Sequence, residues 1–454
     1  MTEMNSNTPI CDFVNEYIKK DAMRLHMPGH KGVAFVGPEK ADITEIEGAD
    51  VLYNMNPCGD ENGIIRQSEK IASDLFGSAE TLYSTEGSSL CIRAMLFMAK
   101  QYAALHEKRS CIVAPRNAHR VFVTAAALLD LDIKWFFPSD GNLISCDIDL
   151  QELDKMIADE KPVALYITSP DYLGNIADIK GISTVCKKHG VLLLVDNAHG
   201  AYLKFLPKSS HPIDLGADMC CDSAHKTLPA LTGSAYLHIS SSADEMFIKN
   251  ATYSMSMFAS TSPSYVILQS LDIMNLYISE KIKDDICAAA ACVTDLKRRL
   301  ADAGYTLMGD EPLKLTLKTK PYGYCGNDFA ELLAEKNIIC EFSDPDFVVM
   351  MFSPQTEKSE TERLADTLLG IPKLKQIEQS ALSFVAPVRE LNTKTAVFAP
   401  FEIVPIKDAV GRISAAPSVN CPPAVPIVVC GEVIDEAAVK CFEYYGIENC
   451  AVVR

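Results

Sequence analysis

The chain has 454 residues, of which 48% are hydrophobic and 22% are charged. These values are typical of a soluble globular protein with two or three domains. The formal net charge of −18 argues against nucleic acid and anionic membranes as partners, and it is compatible with a small cationic substrate.

Cysteine usage and the N-terminal sequence indicate the compartment. The 16 cysteines are scattered, with no CxxC pair and no Cys/His cluster at zinc-ligand spacing. We therefore expect buried free thiols in a reducing cytosol and no metal site. The N-terminal residues are polar and no apolar run is long enough to cross a bilayer, so the sequence predicts a cytoplasmic protein.

Short apolar segments alternate with helical stretches through the middle of the chain. A helix is predicted from Ser88 to about Tyr102. Apolar runs without alternation predict strands buried on both faces, and the helical spacers predict crossovers between parallel strands. The fold class is therefore α/β, with a mostly parallel, doubly wound seven-stranded sheet. The predicted strands lie in TLYST (81–85), SCIVAP (110–115), DIKWFFP (132–138), VALYITSP (163–170), GVLLLVDNAHG (190–200), ADMCCDSAHKT (217–227) and GSAYLHIS (233–240).

The C-terminal part has a different pattern. Apolar residues at helical spacing predict one long helix from about Ile267 to Leu300. Strand-like segments at 313–319, 337–342 and 346–353 then surround a helix-like segment at 327–336. This order predicts a smaller C-terminal α+β domain.

Polar residues follow the predicted strands, where ligands bind in such sheets. Asp196 ends one strand, and Lys226 follows the next strand 30 residues later, so both are expected at the same edge. Each of the two residues also has a plainer interpretation. Asp196 could form an Asx-turn or a helix cap, and Lys226 could be a solvated surface lysine. Together they are two fixed points of a pyridoxal phosphate (PLP) site, since the acid holds the ring nitrogen and the lysine forms a Schiff base.

A PLP site also needs a phosphate cradle and a partner for the ring. Gly87 allows a tight turn, and Ser88 and Ser89 begin a helix whose N-terminus suits an anion. His119 follows another strand and is the candidate to lie over the ring, although a surface histidine is the plainer alternative. Ser223 and His225 are candidates to contact the phosphate.

The sequence resembles the Orn/Lys/Arg decarboxylase family over most of its length. The similar segments are RLHMPGHKG (24–32), DITEI (42–46), RNAHR (116–120), TSPDYLGNIADI (168–179), VDNAHGAYLKF (195–205), DSAHKTLPALTGSAYLH (222–238), TSPSYVILQSLD (261–272) and AVGRI (409–413). The resemblance implies a PLP enzyme of the aspartate-aminotransferase fold, in the short form without an extra N-terminal domain.

The resemblance also implies roles for single residues. Lys226 would be the Schiff-base lysine, Asp196 the partner of the ring nitrogen and His119 the stacking group, and these three form the predicted catalytic set. The predicted PLP-binding residues are Gly87, Ser88, Ser89, His119, Asp196, Ala198, His199, Ser223, His225, Lys226 and Thr261. Thr261 belongs to a segment that would reach the phosphate of a second subunit, because the family's sites lie at a homodimer interface.

This assignment divides the chain into three parts. Residues 1–50 would be an N-terminal segment that contributes to the site and the dimer, 51–270 the PLP-binding domain, and 271–454 the linking helix and C-terminal domain. The expected reaction is decarboxylation of lysine, arginine or ornithine to a polyamine precursor and CO₂.

Some positions depart from the family pattern. The chain has Asn197 in DNAHG where DEAHG is commoner, Lys394 where relatives tend to carry Arg, and Ala424 where Gly is usual. Arg and Lys do not bind carboxylates equivalently, so Lys394 and Ala424 keep open the alternative of a PLP-binding relative without catalysis. Another PLP reaction on the same fold, transamination or elimination, is a second alternative, because a fold does not fix the reaction.

Overall fold

The computed structural model describes residues 19–20, 23–25, 64–137, 147–261, 263–378, 386–417, 419–420 and 426–454. The strands are β1 (Met23–Leu25), β2 (Glu80–Ser84), β3 (Cys111–Pro115), β4 (Asp132–Phe136), β5 (Ala164–Thr168), β6 (Leu192–Asp196), β7 (Met219–Asp222), β8 (Ala235–Ile239), β9 (Thr306–Met308), β10 (Lys314–Lys318), β11 (Ile338–Cys340), β12 (Phe342–Ser343), β13 (Phe347–Met351), β14 (Phe401–Pro405), β15 (Val419–Asn420), β16 (Pro426–Val428) and β17 (Asn449–Val453).

The helices alternate with these strands up to β8, as predicted. They are α1 (Ile64–Phe76), α2 (Ser88–Leu105), α3 (Arg120–Leu128), α4 (Leu150–Glu160), α5 (Ile179–His189), α6 (Pro212–Leu215), α7 (Ala224–Thr227), α8 (Glu245–Ser256), α9 (Tyr265–Glu280), α10 (Ile282–Asp302), α11 (Gly326–Ala334), α12 (Lys358–Leu369), α13 (Thr393–Phe398) and α14 (Glu436–Tyr444).

The central sheet has seven strands in the order β2-β8-β7-β6-β5-β3-β4. β8 runs antiparallel to both β2 and β7, and the remaining pairs are parallel. Side chains of α2, α3 and α8 pack on one face, and those of α4, α5 and α6 pack on the other. Both faces are therefore buried, which explains the uninterrupted apolar strand sequences. The predicted doubly wound, mostly parallel sheet is confirmed.

The long helix predicted between Ile267 and Leu300 is two helices, α9 and α10. Lys281 interrupts them with φ −131° and ψ −29°, although Ile278 and Ile282 on either side are both buried. The apolar spacing continues across the break, so the prediction joined the two segments. Asp284 and Asp285 in the first turn of α10 are a helix-start signal that the prediction did not use.

Beyond α10 the chain forms smaller sheets. The strands β12-β13-β10-β9 make a four-stranded antiparallel sheet, and β1 pairs in parallel with β11. Residues after 386 add the pairs β14–β17 and β15–β16 around a separate apolar cluster. The smaller C-terminal domain is thus confirmed, and it contains two sheet systems that the sequence did not separate. The predicted domain boundaries stay a prediction.

The structure also shows the state of the cysteines and the character of the helices. The cysteines in the described ranges are free thiols, and most of them are buried. Among the described residues, no helix combines the length and the apolar character needed to cross a bilayer.

A buried ion pair attaches the last domain to the central sheet. Arg116 follows β3 and is fully buried, and its Nη1 and Nη2 donate to the two carboxylate oxygens of Glu432 at 2.7 and 2.5 Å. Its Nε donates to the Pro426 carbonyl at 3.0 Å. The fork-like guanidinium matches the carboxylate geometry, so this pair fixes the C-terminal residues beside the edge where Asn117 and His119 lie.

Replacing Arg116 with methionine is expected to destabilise the protein by about 3–5 kcal/mol, because the Glu432 carboxylate would stay buried without its counter-charge. Urea unfolding measures this. Arg298→Met is the matched control, since Arg298 pairs with Asp295 and Asp302 on an exposed helix face and should leave the unfolding midpoint unchanged. Equal unfolding curves for the two variants would contradict this account.

Candidate active site

The carboxyl ends of β5, β6 and β7 meet at one edge of the sheet. Thr168 pairs with Asp196 in the β5–β6 register, and Asp196 pairs with Cys221 in the β6–β7 register. The segment Asp222–Lys226 therefore begins beside Asp196. The expected meeting of the acid and the lysine segment at this edge follows from parallel pairing.

Asp196 is buried, with 3% of its surface exposed. The Tyr166 hydroxyl donates to its Oδ2 at 2.9 Å, and the Ala198 N–H donates to its Oδ1 at 3.2 Å. The second bond is the Asx-turn of the plain alternative. Phe122 stacks on the Tyr166 ring at 4.3 Å, which holds the hydroxyl in place.

Lys226 lies on the single-turn helix α7 and is partly buried. Its Nζ is 3.0 Å from Nε2 of His199. Burial lowers the pKa of Lys226, Asp196 counteracts this, and Lys314 lowers the pKa further. The lysine is therefore not a solvated surface side chain. Its amine lies among protein groups at the sheet edge.

The predicted phosphate cradle is assembled from two distant segments. The Ser223 hydroxyl donates to the Ser88 hydroxyl at 3.0 Å, which joins the lysine segment to the first turn of α2. Gly87 precedes α2 with φ +70° and offers no side-chain cap, a conformation that favours glycine. The N–H groups of the first turn of α2 are thus left without a side-chain cap, as an anion site requires.

The two remaining predicted histidines have defined partners. His119 is the N-cap of α3, and its Nδ1 accepts the Val121 N–H at 3.2 Å. Its ring is exposed at the edge, yet the protein atoms around it lower its pKa by reducing its hydration. His225 Nδ1 lies 2.9 Å from the Ser234 carbonyl, which can only accept a hydrogen bond. Burial lowers the pKa of His225 as well.

Other predicted elements are exposed or lie outside the described residues. Thr261 is exposed, next to Ser260, whose N–H donates to Glu86 Oε1 at 2.5 Å. The segment 26–32 and Ala424 lie outside the described residues. Lys394 is exposed and 3.3 Å from Asp130, at the end of α3 opposite His119. In this chain Lys394 therefore forms a surface ion pair away from the candidate site.

Asp222 is a buried carboxylate next to the loops that follow β6 and β7. Asn197 Nδ2 donates to Asp222 Oδ1 at 2.6 Å, while His211 and His238 place Nε2 at 3.0 and 3.2 Å from Asp222 Oδ2. Despite full burial, the two histidines hold the pKa of Asp222 well below its usual value. The departure Asn197 thus tethers the Asp196 loop to the Lys226 loop.

Two residues near His199, Glu341 and Lys314, were not predicted from the sequence. The Tyr172 hydroxyl donates to Glu341 Oε1 at 3.1 Å, and the Tyr172 ring centre is 5.3 Å from that of His199. Lys314 Nζ lies 3.0 Å from His199 Nδ1. Glu341 and Lys314 come from the C-terminal sheet, more than a hundred residues after His199, so no local pattern links them to it.

The residues present fit PLP. A carboxylate, a partly buried amine and an uncapped helix N-terminus with two hydroxyls are the donor set for a ring nitrogen, an aldehyde and a phosphate. The Oδ1 of Asn117 and the Oγ1 of Thr168 are buried without a hydrogen-bond partner. Both residues line a cavity of about 160 Å³ at the ends of β3 and β5, whose lining does not include Asp196 or Lys226. Unpaired buried polar atoms at this edge are suited to a polar ligand.

Comparison with known families decides the identity. Residues 8–303 match the family model described as "Orn/Lys/Arg decarboxylase, major domain", and residues 380–449 match that for its C-terminal domain. The chain belongs to the Orn/Lys/Arg decarboxylase family. It is therefore a decarboxylase, and the alternatives of transamination, elimination and binding without catalysis are not favoured. The family depends on PLP.

Individual relatives agree with this assignment. The arginine decarboxylase of Bacillus subtilis is 28% identical over 460 residues, covering 94% of this chain and 91% of the relative. The uncharacterized protein YaaO of the same organism is 29% identical over 465 residues, covering 96% and 93%. The constitutive lysine decarboxylase of E. coli has a TM-score of 0.69 at 17% identity, covering 98% of this chain and 82% of that chain, and it shows the shared fold.

Replacing Tyr166 with phenylalanine is expected to cost about 1–3 kcal/mol of unfolding free energy, since the buried Asp196 carboxylate loses a donor while the Phe122 stack remains. Chemical unfolding of the protein measures this. Tyr253→Phe is the control, because Tyr253 is 37% exposed and should have little effect. A Tyr166→Phe variant as stable as the control would show that the hydroxyl does not support Asp196.

Proposed function

We propose that this chain decarboxylates a basic amino acid with PLP bound through Lys226, and that arginine is its substrate. One observation carries the proposal: a partly buried lysine amine lies at the sheet edge beside a buried carboxylate and an uncapped helix N-terminus. The arginine decarboxylases among the curated relatives support arginine as the substrate, and four of them match 93–95% of this chain.

Each group in the cluster has a role in this proposal. Lys226 would hold the PLP aldehyde carbon, Asp196 the ring nitrogen, and Ser88 with Ser223 the phosphate. When bound, PLP would supply the electron sink for the electron pair of the broken carbon–carbon bond. The Tyr166 hydroxyl and the Ala198 N–H hold the Asp196 carboxylate in place for that contact.

His119 is positioned to move a proton. Because its Nδ1 accepts the Val121 N–H, the neutral ring carries its proton on Nε2, the nitrogen that the helix does not use. A lowered pKa keeps the ring neutral near pH 7. A neutral imidazole can lie against an aromatic ring and can also exchange a proton with a reacting carbon.

Glu341 would bind a cationic group of the substrate. It directly follows β11, whose Cys340 pairs with Leu25 of β1. Burial and the Glu341 charge raise the pKa of Tyr172, so the hydroxyl stays protonated and donates to the carboxylate. The Glu341 charge also acts on Lys226. A carboxylate at this edge complements a substrate with an α-amino group and a cationic side chain.

Incubating the PLP-loaded protein separately with arginine, lysine and ornithine is expected to give CO₂ and the corresponding amine, with arginine having the highest kcat/KM. Quantifying CO₂, amine and keto acid in the same samples measures the reaction. The Lys226→Ala variant should abolish turnover, and Lys249→Ala, an exposed helix lysine, should leave it unchanged. Keto acid without CO₂ would overturn the proposal, and a higher kcat/KM for lysine or ornithine would overturn the choice of arginine.

The Glu341→Gln variant is expected to raise KM for the basic amino acid by about tenfold or more, because the amide loses a charged hydrogen bond to the substrate. PLP affinity, measured by absorbance titration, should change much less. Glu335→Gln is the matched control, since Glu335 is exposed at the end of α11. An unchanged KM in Glu341→Gln would exclude this carboxylate from substrate binding.

A further inference from the structure

His199 lies between two lysine amines. Its Nε2 is 3.0 Å from Lys226 Nζ, and its Nδ1 is 3.0 Å from Lys314 Nζ. His199 and Lys314 are 6% and 1% exposed, so water does not separate the three groups. Each contact between two nitrogens needs one donor and one acceptor. The identity of the donors therefore determines the protonation states of Lys226, His199 and Lys314.

Lys314 has its hydrogen-bond partners fixed by its surroundings. Its Nζ donates to the Asp171 carbonyl at 3.0 Å, and it lies 2.8 Å from Glu311 Oε2. A carbonyl can only accept, and the N–H groups of an ammonium can only donate, since its nitrogen has no lone pair. Glu311 supplies the counter-charge, and His199 Nδ1 must therefore accept an N–H of the Lys314 ammonium.

The same conclusion holds if the proton lies on Glu311. Burial raises the pKa of Glu311, although Lys314 counteracts this. In that state the Glu311 O–H would donate to the lone pair of the Lys314 amine. The two remaining N–H groups would still face the Asp171 carbonyl and His199 Nδ1. His199 Nδ1 is therefore an acceptor in both states of the pair.

With Nδ1 as an acceptor, neutral His199 carries its proton on Nε2 and donates it to Lys226 Nζ. An ammonium has no lone pair to accept this bond, so Lys226 is the free amine. A charged ring would have to donate to both amines. Burial opposes this, as do its neighbours Lys226, Lys314, His119 and His225, all of which lower the pKa of His199.

We propose that Lys314 is a positioning residue that fixes His199 as its Nε2–H tautomer and thereby holds Lys226 as the uncharged, nucleophilic amine. The inference rests on the proposed function of Lys226 as the group that bonds to PLP. Around Lys226, Asp196, Glu341 and Cys221 favour the charged form, while burial and Lys314 oppose it. The C-terminal sheet thus controls the reactivity of a lysine in the central sheet through one imidazole.

Nitrogen NMR of the apoprotein with ¹⁵N-labelled histidine tests the tautomer directly. The His199→Gln spectrum assigns the His199 signals among the nine histidines. We expect wild-type His199 to be neutral with its proton on Nε2 at pH 7 to 8. A proton on Nδ1, or an imidazolium, would overturn the proposal whether or not the protein decarboxylates anything.

The pKa of Lys226 gives a second readout. Competitive amine labelling of the apoprotein across pH, with mass spectrometry of the Lys226 peptide, should give a pKa below that of ordinary lysines. In Lys314→Met it should rise by about one unit or more. Lys318→Met is the control on the same strand, where Lys318 Nζ lies 6.0 Å from the centre of the Phe347 ring, and it should leave the Lys226 pKa unchanged.

Lys314→Met removes the ion-pair partner of the buried Glu311 carboxylate, so the variant Lys314→Met/Glu311→Gln, which removes that charge as well, is the second test. The amide introduced by Glu311→Gln would retain an acceptor for the Tyr202 hydroxyl, which lies 3.3 Å from Glu311 Oε1. The Lys226 pKa should rise in this variant too. An equal Lys226 pKa in wild type and the double variant would overturn the proposal, whereas absence of amino acid turnover alone would overturn only the proposed function.

Discussion

The proposed site depends on one constraint, which is that a lysine amine stays uncharged beside a buried carboxylate. Asp196 alone would favour the charged form of Lys226, since an opposite charge stabilises an ammonium. His199 and Lys314 act against that tendency, one by donating a hydrogen bond and the other by its proximity. Hydrogen bonds from both parts of the fold hold these side chains together.

Two separate parts of the fold provide that rigidity. Within the central sheet, Asn197 and Asp222 join the loops that follow β6 and β7, and two buried histidines lie within hydrogen-bonding distance of the Asp222 carboxylate. From the C-terminal sheet, Lys314 and Glu311 enter the same region at the start of β10. An ion pair buried this thoroughly contributes little net stability. Its position beside the site is the better explanation for its presence.

The sequence predicted the groups whose placement follows from parallel strand pairing. Asp196, Ser223 and Lys226 follow neighbouring strands, and the ends of neighbouring parallel strands meet. It did not predict Lys314, because the alternation in KLTLK puts Lys314, Thr316 and Lys318 on one face of the strand. A face with only polar residues predicts exposure to solvent. Packing against the central domain buries that face. Glu341 was missed because its contact at the site is with Tyr172, which lies 169 residues earlier in the chain, so no local pattern links the two.

Identifying the lysine that bonds to PLP tests the proposed site most directly. Borohydride reduction of the PLP-loaded protein, followed by peptide mapping, identifies it, since both Lys226 and Lys314 lie 3.0 Å from His199. The account predicts the reduced pyridoxyl group on Lys226 and an unmodified Lys314. The group on Lys314, or on no lysine of this cluster, would contradict it.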